Sequence, residues 1–417
     1  MVDIMAGLTA FLRANAPWLL AGFLLTFASS FGQTFFISVF AGEIRATFGL
    51  SHGQWGGIYA LATTASAVVM LWAGSLTDRF RVRYIGLAVL LGLALTAVLM
   101  ARVSDTWLLV GAIFLLRLFG QGLMGHTAMV AMARWFVASR GRAVSVAGLG
   151  VALGEALLPV TFVALLGYYD WRLLWLAAAM VLLALAPVLW ALLRHERTPQ
   201  SFFAQAGSAG IGGRMWTRAQ ALRHPLFWLM VPALLGPAAW NTAFFFHQVH
   251  LAEAKGWGHV ALVALFPLYT ATSVATMLLA GWLVDRFGSR RLAPFYLLPL
   301  AGGYLVFAVA QGVPVGAAGM VLMGLSVGMH VTMMATLWPE VYGTQHLGAI
   351  RAMTAAVMVL GTALGPGITG WLIDLGISFP QQGYAIALYF AVASALAAFA
   401  MRSARPPSQT PSPGPVT

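Results

Sequence analysis

Arg117 and Glu155 stand deep inside long apolar stretches of a chain that has only 11 acidic residues among 417. A lone charge at the middle of a bilayer costs roughly 3 kcal/mol or more on insertion scales, so such groups pair with one another, meet a substrate or carry a proton. Arg117 lies ten residues into the stretch 107–131 and Glu155 twelve into 143–166, so both reach mid-depth and are expected to be neighbours. As chemistry, the pair is a proton-responsive switch: Glu155 takes up a proton when Arg117 turns to an anionic substrate, and releases it afterwards. A static salt bridge between adjacent helices uses the same residues and leaves nothing to titrate.

Uncharged polar groups recur at matching depths. Gln33-Thr34 is echoed by Asn241-Thr242, and His126, followed by Thr127, is echoed by His330, followed by Thr332. Amides hold a carboxylate or a hydroxyl without a formal charge, and histidine is the side chain most readily protonated near neutrality. With the hydroxyls of Tyr59 and Tyr269 these residues form the expected substrate-binding set, Arg117 included. Interhelical hydrogen bonds, worth about 0.6 kcal/mol each, are the competing explanation for the amides. Pro232, Gly236 and Pro237 just before Asn241 predict a kink in that stretch, which frees backbone groups beside a cavity. His247 and His250, toward its outer end, read as vestibule or interface residues. No grouping of His, Asp and Glu has metal-ligand spacing, so neither a metal nor another cofactor is expected.

The third chemical signal is a duplication. Gly74-Ser-Leu-Thr-Asp-Arg-Phe80 returns as Gly281-Trp-Leu-Val-Asp-Arg-Phe287, and Leu61 to Phe80 matches Leu268 to Phe287 at eleven of twenty positions without a gap. Each copy closes an apolar stretch, and repeated apolar units mark carriers whose two similar halves rock about a shared site. Asp78 with Arg79 and Asp285 with Arg286 read as gate elements, with Arg351 the expected partner of Asp78 and Arg142 that of Asp285 across the seam between the halves.

These groups need helices long enough to span about 30 Å of hydrocarbon, roughly 20 residues each. Twelve apolar stretches qualify, near 17–40, 54–76, 84–103, 107–131, 143–166, 172–193, 226–248, 260–283, 292–311, 315–337, 348–372 and 383–401. With 60% hydrophobic and 8% charged residues the chain is a membrane protein, since a water-soluble globule has about 25% charged. The net charge of +12 is topology rather than a nucleic-acid surface: 18 of the 23 Lys and Arg residues fall on one side, and only Arg45, Arg102, Arg172 and Lys255 on the other. The positive-inside rule then places both termini in the cytoplasm. Cysteine is absent, which excludes disulfides and thiolate metal sites. The expected layout is all-α: a six-helix bundle over 1–193, a cytoplasmic linker over 194–225, a second six-helix bundle over 226–401 and a disordered cytoplasmic tail over 402–417.

On the duplicated Gly-x-Leu-x-Asp-Arg phrase and its loop, ending Phe287-Gly-Ser-Arg290-Arg291 in the second copy, the chain resembles the major facilitator superfamily over residues 10–402. The first copy departs from that family's loop, since Arg81 stands where the glycine would be. Arg117-Leu-Phe-Gly-Gln-Gly122 and the stretch from Arg134 to Arg142, leading to Gly148, Gly150 and Gly154, are similar to the oxalate/formate antiporter and monocarboxylate transporter branch. The resemblance implies a twelve-helix, two-bundle secondary transporter of the bacterial inner (plasma) membrane, working as a monomer on a small organic solute. A monocarboxylate or related metabolite, with proton coupling or exchange as symporter or antiporter, is the leading expectation. Members that carry dicarboxylates place basic residues inside the eighth and eleventh helices, and this chain has none at mid-depth there. Multidrug or metabolite efflux is the alternative, although Gly154-Glu155 replaces the Gly-Pro of many antiporters. A membrane-embedded enzyme lacks its catalytic groups, since Glu155 is the one acid at depth. A channel or nontransporting receptor would share the fold without the turnover.

Overall fold

The computed structural model describes residues 10–74, 76–136, 139–194, 210–343 and 345–403. Helices occupy all twelve expected places: α1 (Ala16–Ser29), α2 (His52–Ala73), α3 (Val82–Ala101), α4 (Thr106–Trp135), α5 (Arg140–Leu166), α6 (Trp171–Leu192), α7 (Pro225–Phe246), α8 (Phe266–Phe287), α9 (Leu298–Val309), α10 (Val313–Tyr342), α11 (Leu347–Asp374) and α12 (Phe379–Ser403). No strand occurs among the described residues. Among the described residues, nine helices are long and apolar enough to cross a membrane unaided, and α1 with its continuation makes a bent tenth. The remaining two places are held by α2 and by the shorter α9. Residues 404–417 of the expected tail and 195–209 of the expected linker lie outside the described residues; the rest of the linker holds a short helix, Arg218–Arg223, capped by Thr217.

By contact density the chain forms two compact units, one comprising Met1–Phe203, Trp240–Thr270 and Thr362–Phe379, the other Ala204–Ala239, Ala271–Gly361 and Pro380–Thr417. Thus α7, α8 and α11 each contribute one end to each unit.

In the first unit the decisive local feature is the break in α1. After a tight turn over Ser30–Gly32 the chain extends at Gln33 (φ −84°, ψ 156°) and resumes as helix from Thr34 with a 46° bend. The break lies against α4 where Gly32 and Gly120 cross so closely that a side chain on either would strike the other's backbone. There α4 is itself irregular, wound as a π-helix over Arg117–Met124, the kind of widening that recurs at functional sites. Beyond the break Phe36 packs edge-on against Phe31, Phe162 and Trp175 at 5.0, 4.8 and 5.3 Å between ring centres, which anchors the resumed helix to α5 and α6. Such ring pairs add about 0.5–1.5 kcal/mol each beyond area burial. Of the small residues at the start of α5, Gly150 lies directly under the Phe23 carbonyl and Gly154 under Ser30, whereas Gly148 faces open space.

In the second unit α7 carries two of the prolines that bear on its shape. Pro232 and Pro237 sit inside an uninterrupted helix. Pro237 has no N–H for the carbonyl of Ala233, and the Tyr296 hydroxyl supplies the missing donor at 2.9 Å, while Tyr389 donates to Pro232 O at 2.8 Å. The carbonyl that Pro237 frees is thus met by the Tyr296 hydroxyl from the segment before α9.

The tryptophans also divide. Trp107 is 79% exposed, as an interfacial anchor would be, whereas Trp55, Trp171 and Trp338 are buried and serve packing.

Candidate functional site

Arg117 is 2% exposed, and its surroundings are almost entirely neutral. One guanidinium nitrogen lies 3.4 Å from both Gly32 O and Thr34 Oγ1, and the guanidinium carbon stands 5.2 Å from the centre of the Tyr59 ring. The Thr34 and Tyr59 hydroxyls are hydrogen-bonded to each other, and Nε of Arg117 has no partner. The break in α1 creates this arrangement: it exposes Gly32 O and turns Thr34 toward the π segment that carries the arginine. A guanidinium offers five donors in a fixed fork that matches a carboxylate bidentately. Contacts of 3.4 Å to neutral oxygens leave most of that capacity unused.

The expected Arg117–Glu155 pair is not formed among the described residues. Glu155 instead accepts from the Thr270 hydroxyl at 3.1 Å, so it faces α8 while Arg117 faces α1 and α2. The winding of α4 at Arg117 rotates its side chain away from where a regular helix would aim it, and depth alone could not reveal this. Tyr269, beside Thr270, is 3% exposed with its ring 5.2 Å from that of Phe245. Asn241 and Thr242 are half-buried and the Asn241 Oδ1 has no partner; Gln33, also half-buried, sits at the break itself. His126 is carried away from Arg117 to the end of α2, 3.4 Å from Thr77 Oγ1. In the second unit His330 stacks at 5.7 Å on Tyr296 and its Nδ1 is without a partner.

A polar seam that sequence reasoning missed joins elements of both sequence halves at their Arg-poor ends, inside the first unit. Gln248, fully buried, donates to Ser38 Oγ at 2.6 Å and to Phe35 O at 3.2 Å, while the Ser38 hydroxyl lies 2.6 Å from Phe245 O. His259 stands 3.3 Å from Gln248 Oε1 and His247 is bonded to Pro366 O at 2.9 Å. Phe246 stacks on Trp55 at 5.3 Å and packs at a tilt against Tyr59 at 4.6 Å, which ties the seam to the Arg117 pocket. The Asp374 carboxylate accepts from the Ser51 hydroxyl and from the backbone N–H groups of His52 and Gly53 at 2.6, 3.0 and 2.8 Å. The local signs were His247 and His250, read from the sequence as vestibule or interface residues, and the Ser51/Gln54 capping box at the start of α2.

His250 belongs to this seam: its Nε2 accepts from the Phe379 N–H at 3.4 Å, and it faces His52 edge-on at 4.7 Å, with Arg45 acting on it and His247 and Asp374 grouped around His52. Burial first, and then the Arg45 charge, hold its pKa below the ordinary histidine value. A base whose pKa is lowered by folding contributes stability above its unfolded pKa, about 6.5, and loses it as pH falls below that value. The melting temperature is therefore expected to drop between pH 7 and pH 5.5 in the native protein. His250→Gln, which keeps an acceptor but does not titrate, should flatten that drop; an identical pH profile in the two proteins would remove His250 from the account.

At the Arg-rich ends the duplicated loops are clamped within their own halves. Arg134 of α4 donates to Thr77 O at 2.7 Å, and Glu340 of α10 holds Arg290 at 3.3 Å together with the Ser289 hydroxyl. The side chains of Asp78 and Arg79 lie outside the described residues. Asp285 is exposed without an ion pair among the described residues, Arg286 lies over the Trp282 and Phe287 rings, Arg142 is exposed, and Arg351 donates to Ala335 O at 3.1 Å.

The profile of the Major Facilitator Superfamily matches residues 22–366 and, in a second register, 264–416. The chain belongs to that superfamily. Two overlapping matches in one chain are what a duplicated bundle gives, as the eleven-identity repeat anticipates. Among superfamily structures, a bacterial homologue of the human lysosomal transporter Spinster, crystallised inward-facing and unoccupied, is similar at TM-score 0.70 and 15% identity, covering 93% of this chain and 97% of that one. The nucleoside transporter NupG is similar at TM-score 0.66 and 14% identity, covering 93% and 98%; both likenesses concern the fold. Human monocarboxylate transporter 11 is 29% identical over 66% of this chain and 59% of the relative. A Thermus thermophilus protein named as a probable nitrate/nitrite antiporter is 25% identical over 93% and 83%. A multidrug resistance protein B homolog of Mycobacterium tuberculosis is 34% identical over 26% of this chain, which spans only 19% of that relative's length.

Proposed function

We propose that this superfamily member is a secondary transporter of a small organic monoanion, a monocarboxylate or related metabolite, working by alternating access with proton coupling or exchange. The observation that carries the reading is the buried Arg117 guanidinium with an unpartnered Nε, flanked by the Thr34 and Tyr59 hydroxyls and by no carboxylate among the described residues. One buried positive charge is balanced by one carboxylate, so the site favours a singly charged ligand over a dianion. Two relatives have names that refer to monocarboxylate and to nitrate or nitrite, which are monoanions, and this supports the reading. Gln33, Asn241, Thr242 and Tyr269 are the further contacts proposed for the body of the substrate, and the loops bearing Asp78 and Asp285 are proposed to gate the cytoplasmic side.

The test is counterflow in proteoliposomes. Radiolabelled monocarboxylates should accumulate faster when unlabelled monocarboxylate fills the lumen, a carrier property that a channel lacks. Acceleration by cationic or neutral drugs alone would replace this reading with multidrug efflux.

Glu155 is the proposed proton site. It is separated from Arg117, so protonation acts through α5 and α8, by way of the Thr270 contact, rather than by direct exchange of partners. Glu155→Gln should keep substrate exchange within about fivefold of the native rate and lose uptake driven by a pH gradient, because one neutral hydrogen bond contributes only about 1 kcal/mol. Gradient-driven uptake that survived in Glu155→Gln would assign coupling elsewhere.

A further inference from the structure

In the second unit a cavity of about 1040 Å³ opens at the Arg-rich ends of α9, α10 and α12. One wall is the small-residue face of α12, where Ala391, Ala395 and Ala398 recur at helical spacing and end in Arg402. The opposite wall presents Phe295 and Leu298, 62% and 45% exposed. Its mouth is basic. Arg290 is held by Glu340, but Arg291 and Arg402 are exposed and have no acidic partner among the described residues. Ser394, between Ala391 and Ala395 in the α12 wall, is 5% exposed and its hydroxyl has no partner.

An apolar groove with a free pair of arginines at its rim suits a molecule with one anionic and one hydrocarbon end. The charge asymmetry of the chain puts that rim at the cytoplasmic leaflet, whose anionic lipids are drawn to basic pockets between helices. We infer that the groove binds an anionic phospholipid, its phosphate held by Arg291 and Arg402 and an acyl chain lying on the alanine face of α12. The site is separate from the Arg117 pocket in sequence and in chemistry, and stands whether or not the substrate is a monocarboxylate.

The purified full chain, incubated in detergent with equal phosphatidylglycerol and phosphatidylcholine, tests this by native mass spectrometry. Phosphatidylglycerol should be retained over phosphatidylcholine by about tenfold, two arginines being enough for a preference of that order. Arg291→Gln with Arg402→Gln should abolish the preference, and Arg218→Gln with Arg223→Gln, an equal charge change at exposed positions of another helix, should leave it intact. Ala395→Phe, at an exposed position, should lower phosphatidylglycerol retention with both arginines in place. Equal retention of the two lipids by the native protein would overturn the inference, as would an undiminished preference in the double variant. Displacement of the lipid by excess inorganic phosphate would overturn it too, since the groove would then be a free-phosphate site.

Discussion

Arg117→Gln is expected to lower the affinity for a transported monocarboxylate by about 10- to 150-fold, because hydrogen bonds to a charged group are worth about 1.5–3 kcal/mol. The same substitution should leave the empty protein at least as stable as the native one. The guanidinium is 2% exposed and its described contacts, at 3.4 Å to two neutral oxygens, are too long to offset its desolvation. Removing a charge that is buried at a cost of roughly 3 kcal/mol therefore relieves the apo state. Stability retained with affinity lost is the signature of a residue kept for function at the expense of the fold. Arg117→Lys keeps the charge without the fork, so intermediate affinity is expected. Ligand-induced thermal shift and proteoliposome uptake on the three proteins check both halves of the claim. A variant that melts early and still transports at the native rate would show instead that Arg117 is a structural brace for the α1 break.

Which parts of this site were legible in the sequence follows from the range of the interactions involved. The helices could be read because hydropathy is a local sum, and the duplication could be read because identities need no structure. Arg117, Thr34 and Tyr59 could each be picked out by polarity at depth, and they do meet. The partner assigned to Arg117 could not, since it depends on a π-helical segment and on a break at Gln33 where no proline marks the chain. Depth along a stretch gives the level of a side chain but not its azimuth, and Glu155 points to Thr270 for that reason. In α7 the prolines were visible but the tyrosine hydroxyl that answers one of them comes from 63 positions away. The clamp at Glu340 is not legible in the duplicated phrase, because the acid that holds the loop lies on α10 and has no part in the repeat.

The same reasoning gives the second large effect its form. Asp374 closes α11 and reaches 323 positions back to Ser51, where it accepts one hydroxyl and two backbone N–H groups at the start of α2. A helix N-terminus leaves its first N–H groups unpaired and carries a partial positive charge, so a carboxylate there serves as cap and counter-charge together. No cap of this kind can be read from a local window, because the donor and acceptor lie in different halves of the sequence. Its position matters for transport: an alternating-access cycle must break and remake contacts between the halves at the Arg-poor ends, and among the seam residues Asp374 is a charged one with three donors. Asp374→Ala should raise hydrogen–deuterium exchange over residues 51–56 by about 5- to 150-fold, the range that 1–3 kcal/mol of charge-assisted bonding allows. Asp374→Asn, which retains an acceptor, should fall between. Slower substrate exchange at unchanged protonophore-insensitive leak would accompany the loss if closing at that end limits the cycle. Exchange over 51–56 that stayed at the native rate in Asp374→Ala would mean that the Ser51/Gln54 capping box alone holds the start of α2, and that the seam is kept shut by Gln248 and its partners.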